Sequence, residues 1–133
     1  MNFKTILFSA IVSIMFAGCV CHAADTPTNA IPAAVYEVQE TVEFKALAKA
    51  TIEALDAGKK EEMVAKLTDL ETAWDAKEDV LKPKDAATWT MLDKTLDKAI
   101  SALRSSKVDL AKGKKALEDL LTKLNQATKS ANG

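Results

Sequence analysis

Residues 63–103 read MVAKLTDLETAWDAKEDVLKPKDAATWTMLDKTLDKAISAL, and two apolar stripes run through them on either side of Lys82-Pro83-Lys84-Asp85. The first stripe is Met63, Leu67, Leu70, Trp74 and Leu81; the second is Trp89, Leu92, Leu96, Ile100 and Leu103. Intervals of three, four or seven residues put each set on one side of a helix, whereas a strand would alternate its faces. Pro83 disfavours helix at the residue before it, and Asp85 offers a side-chain oxygen to the free amides of the next helix. The stretch therefore predicts two antiparallel helices, the first running from about Lys60 to Leu81 with Glu61 and Glu62 at the positive end of its dipole.

Upstream, Val38, Val42, Phe44, Ala48, Ile52 and Leu55 recur at roughly helical spacing, although Lys45 and Lys49 cut into the stripe. Gly58 suits the left-handed position that ends such a helix. Downstream, Asp109 is placed to cap a last helix whose inward residues are Leu110, Leu117, Leu120, Leu121 and Leu124. Gly113 lies on that stripe at a cost of about 1 kcal/mol relative to Ala, which a close helix crossing or a late helix start would explain. Four amphipathic segments with short connections predict an all-α, up-down-up-down four-helix bundle over residues 35–128. Residues 25–34, with Pro27 and Pro32, read as a disordered linker, and residues 129–133 as a frayed tail. The echo Leu92-Asp93-Lys94-Thr95, Leu96-Asp97-Lys98-Ala99 is too short to signal a repeat architecture.

The first 24 residues have the layout of a cleaved secretory signal: Lys4, then the apolar run Ile6 to Ala17 interrupted only by Ser9 and Ser13, then small residues. Cys21-His22-Ala23-Ala24 offers an ordinary cleavage site. Phe16-Ala17-Gly18-Cys19 resembles a bacterial lipobox, with Phe16 where an aliphatic residue is usual, and that resemblance implies a lipid on Cys19. Cleavage after Ala23 or Ala24 would remove both cysteines and His22, leaving about 110 residues, enough for one independent core. These signals place the protein in the periplasm or outer envelope, with membrane contact only through an N-terminal lipid.

The chain carries 18 basic and 19 acidic residues. That balance gives no basic surface for nucleic acid and no polybasic attraction to anionic lipid. A mature form without His or Cys, and with Arg104 as its only arginine, also lacks the usual inventory of an enzyme, so no catalytic residue is assigned.

Three sites compete with plainer structural readings. Glu71, Asp75 and Glu78 share a helix face and could offer oxygen ligands to a hard cation, with Asp79 close by. Lys77 and Lys82 lie near enough to make this a solvated, self-neutralised face instead. Trp74, Trp89 and Met63 could wall a ligand cleft, with Trp74 expected near Leu92 and Trp89 nearer Glu78; as core anchors they would bury, with indole N–H groups reaching edge acceptors. In overall architecture a secreted bundle of this length resembles the small periplasmic b-type cytochromes, which implies iron held by a methionine near the start and a histidine near the end. Met63 and Met91 could supply sulfur, but no mature position supplies the histidine, and no cofactor is expected.

The reading that remains is an exported, non-catalytic binding or adaptor module whose partner is another envelope protein. Its expected contact surface is the outer face of the second and third helices with the Lys82–Asp85 loop. The competing reading is a periplasmic carrier that holds a small ligand, metal or haem inside the bundle. Oligomeric state, partner and ligand are not written in the sequence.

Overall fold

The computed structural model describes residues 34–129, and the chain over that span is all-α. Its helices are α1 (Val38–Asp56), α2 (Lys60–Asp75), α3 (Glu78–Leu81), α4 (Ala86–Arg104) and α5 (Leu110–Ala127). The expected signal sequence, Cys19 and nearly all of the predicted linker lie outside the described residues.

Local chemistry sets most of the boundaries. Asp85 accepts a hydrogen bond from the Thr88 amide at 2.8 Å, and Asp109 accepts one from Lys112 at 2.9 Å, so both predicted caps form. Glu37 opens α1 through a reciprocal capping box with Glu40. Gly58 follows α1 with φ +70°, a backbone geometry that side chains disfavour.

The helix expected from Lys60 to Leu81 is broken at Ala76–Lys77, and Leu81 reaches the core from the short α3. A continuous helix would carry Glu78 and Asp79 in its last turn, where the dipole is negative. Restarting at Glu78 moves both carboxylates to a positive end.

The core contains Phe44, Met63, Leu67, Leu70, Trp74, Leu81, Trp89, Leu92, Leu96, Leu103, Leu117, Leu120 and Leu124, each 3% exposed or less. The inward face of α1 differs from its apolar letters: Thr41, Phe44, Ala48 and Thr51 are buried, while Val38 and Val42 stay exposed. Threonine tolerates burial here because its hydroxyl finds a local carbonyl, as Thr51 does at Leu47 over 2.7 Å. Leu110, expected on the inward stripe, is 50% exposed.

Packing is most extensive between α1 and α2 and between α4 and α5, then between α1 and α5, and slight between α2 and α4. The two well-packed pairs repeat one plan. Helices α1 and α4 are both 19 residues long and open on the acidic caps Glu37 and Asp85. Along residues 61–74 and 111–124, buried, half-buried and exposed positions coincide one for one. Few letters survive the correspondence: Ile-x-Ala-Leu at 52–55 and 100–103, and Leu-x-Asp-Leu-x-Thr at 67–72 and 117–122.

Gly113 is buried, and a Cβ there would stand 2.3 Å from Leu103 Cδ2, so the close-crossing explanation is the correct one. Gly113→Ala should destabilise by about 1–3 kcal/mol through overpacking, despite the better helix propensity of alanine. In a double-mutant cycle read by urea denaturation, Leu103→Ala should recover part of that loss; simple additivity would refute the contact.

Candidate functional site

Where the α1–α2 turn meets the loop between α4 and α5, the end of the structure opens into a cleft of about 230 Å³. Leu55, Met63, Val108 and Leu110 give it apolar walls, and Gly58, Lys59 and Lys60 form its rim. The repeated plan explains why it opens here. In the second pair Gly113 lets Leu103 press inward to 2% exposure. In the first pair Met63 occupies the place of Gly113, and Leu55, the counterpart of Leu103, stays half-buried at the cleft wall. Lys59 pairs with Glu62 at 3.0 Å, whereas Lys60 has no ion pair among the described residues. The volume falls below the roughly 300 Å³ at which drug-sized pockets begin, so the cleft suits one apolar side chain or a short aliphatic group.

Of the residues singled out in the sequence, the two tryptophans are brought together, but away from the cleft. Trp74 and Trp89 are 2% and 3% exposed and stack on each other, with ring centroids 4.0 Å apart and planes 11° apart. Neither ring lines the cleft. Trp74 Nε1 does donate to an edge acceptor, Asp93 Oδ1, at 3.0 Å. Met63 starts the same helix as Trp74, about 17 Å away along the axis, and it alone of the three lines an opening.

Glu71 is engaged by Arg104, which also reaches Thr68 Oγ1 at 2.7 Å, and Glu78 pairs with Lys82 at 2.6 Å. Among the described residues no group of three His, Cys, Asp or Glu is placed to hold a metal ion. Lys82 and Lys84 in the expected contact loop are tied to Glu78 and Glu40, and the hydrogen bond from Lys84 holds the Glu40 carboxyl below its usual range.

At the opposite end the chain closes on itself. The Val35 and Tyr36 amides donate to the Ala127 carbonyl at 2.9 and 3.0 Å, and the Lys129 amide donates to Tyr36 O at 2.8 Å. Lys129, expected in the frayed tail, is thus held, and its Nζ pairs with Glu37 at 2.7 Å. Lys45 Nζ donates to Thr128 Oγ1 at 2.8 Å, and loss of hydration holds its pKa below that of an ordinary lysine.

Comparison with known proteins returns no matching family model, no matching curated protein and no matching solved structure.

The Tyr36 hydroxyl is buried without a hydrogen-bond partner. Burial, reinforced by the negative charge of Asp85 and Glu40, pushes its pKa up to about 12. A pKa raised on folding contributes stability that is lost as pH climbs from the unfolded value near 10 through about 12. Tyr36→Phe should abolish that alkaline loss. At pH 7 it should match or exceed the wild type, by up to about 1 kcal/mol, because it removes an unsatisfied polar atom. Urea denaturation across pH 7–12 measures both effects, and a large loss at pH 7 would mean that the hydroxyl has a partner.

Proposed function

We propose that the chain is an exported, non-catalytic binding or adaptor module of the bacterial envelope, an up-down-up-down four-helix bundle once its signal peptide is removed. The observation that carries this reading is the end cleft, where Val108 and Leu110 remain 39% and 50% exposed beside an otherwise sealed core. Exposed aliphatic residues gathered at a concave site favour a partner that inserts an apolar side chain. The topology is supported by the ends that meet: α5 finishes against the start of α1 through Ala127 and Tyr36, and Lys114 near the start of α5 pairs with Asp56 at the end of α1 over 2.6 Å.

Orientation supports the same reading. The cleft lies at the far end of α1 from Tyr36, about 28 Å away by the helical rise. Attachment through the N-terminus, by a lipid on Cys19 or otherwise, would present the cleft outward to another envelope protein. A carrier with its ligand between the helices finds less support, because the rings of Phe44, Trp74 and Trp89 fill the interior where a planar cofactor would need room.

Two measurements test the proposal. The mass of the mature N-terminus should correspond to a start at Ala24, Asp25 or a lipidated Cys19; an intact Met1 would refute export. Val108→Asp and Leu110→Asp, both at exposed positions, should leave thermal unfolding within a few degrees of the wild type. Each should reduce crosslinking to the envelope partner at least ten-fold. Equal crosslinking of wild type and both variants would remove the cleft from the reading.

A further inference from the structure

The echo at residues 92–99 sorts charge across α4. Asp93 turns toward α2, where it accepts the Trp74 indole N–H. Lys94 and Lys98 instead face a groove shared with α5, about 320 Å³ in volume, whose lining also includes Lys123, Thr90, Thr95 and Met91. Lys123 is held there by Asp119 Oδ2 at 2.8 Å and donates to Thr95 Oγ1 at 3.1 Å. Lys94 and Lys98 have no carboxylate within ion-pair distance among the described residues, although they stand one helical turn apart and repel each other.

The other helix pair serves as an internal control. Where α4 and α5 carry Lys94, Lys98 and Lys123, the corresponding positions of α1 and α2 are Ala46, Ala50 and Ala73. Ala46 is exposed like Lys94 and Ala73 is half-buried like Lys123, while Ala50 is half-buried where Lys98 is exposed, so the shared frame accepts alanine at these places. Packing does not call for the three lysines; Asp119 answers Lys123, but the repulsion between Lys94 and Lys98 argues against that pair unless a negative charge joins them.

We propose that this groove binds a small anion bearing two or more closely spaced negative charges, of the phosphate or pyrophosphate class. Lys94 and Lys98 supply ammonium groups as point charges, the mode in which lysine recognises phosphate, and Lys123 and Thr90 lie on the same groove. The groove is open to solvent, so binding should weaken steeply with salt. It is separate from the end cleft and does not depend on it.

The test is a titration of the isotopically labelled mature chain with sodium pyrophosphate at low ionic strength, read by amide chemical shifts. Saturable shifts should concentrate on residues 87–98 and 119–123. Lys94→Gln/Lys98→Gln should weaken the apparent affinity at least ten-fold while melting at or above the wild-type temperature, because a repulsion has been relieved. Lys66→Gln/Lys77→Gln, the same change in charge elsewhere, should bind as the wild type does, and Leu110→Asp should bind unchanged. Absence of saturation, shifts spread over every lysine-bearing helix, or equal losses in the two double variants would overturn the proposal. So would a tetraglutamate peptide that saturates the groove when pyrophosphate does not.

Discussion

The stacked indoles of Trp74 and Trp89 join α2 to α4 across a seam whose other links are mainly polar, such as Arg104 with Glu71. Helices α2 and α4 have little packing between them, yet these rings meet across that seam at 4.0 Å. Phe44 of α1 meets Trp74 edge-on at 5.0 Å and 63°, so one aromatic cluster ties three helices together. Such pairs contribute about 0.5–1.5 kcal/mol each beyond their buried area, and the Asp93 hydrogen bond fixes the Trp74 ring while satisfying its N–H. A filled seam also decides where ligands are not held. The openings lie at the end of the helices and in the outer groove between α4 and α5, where side chains from separate segments leave space.

Repetition of one helix pair explains why the same burial pattern carries such different letters. A position on an antiparallel pair is buried or exposed by geometry, and any residue of suitable volume can satisfy it. Trp74 and Leu124 occupy equivalent buried places, as do Phe44 and Leu92. What the frame restricts is the sum of volumes across a contact: Leu103 lies deep because its neighbour is Gly113, and Leu55 does not because its neighbour is Met63.

Much of this was legible in the sequence wherever the cause is local. Asp85 and Asp109 cap helices, Gly58 ends one, and the stripes of α2 and α4 bury, because each depends on residues within a turn or two. The inward face of α1 was legible only in part: Phe44 and Ala48 bury as their spacing predicts, but partner helices choose Thr41 and Thr51 over Val38 and Val42. Arg104 reaches Glu71 from 33 residues away, beyond any helical periodicity. The repeat escaped because its signal is spread over two thin motifs, Ile-x-Ala-Leu and Leu-x-Asp-Leu-x-Thr, while the conspicuous four-residue echo lies within a single helix. The cleft was least accessible of all: its walls come from α1, the turn after it, the start of α2 and the loop before α5.

Both candidate binding features arise where the two halves depart from each other. Exchange of glycine for methionine between positions 113 and 63 leaves one end of the first pair looser, and the end cleft forms against it. Lysine at 94, 98 and 123, where the first pair has alanine, adds positive charge to the groove between α4 and α5. Neither departure disturbs the aromatic seam or the clasp between Tyr36 and Thr128, which hold the frame. The seam and the clasp join the frame from the inside, so surface chemistry can change at its exposed positions at little cost. In a chain of this size, with one core and no bridging disulfide among its described residues, that separation lets a plain helical scaffold acquire two different surfaces.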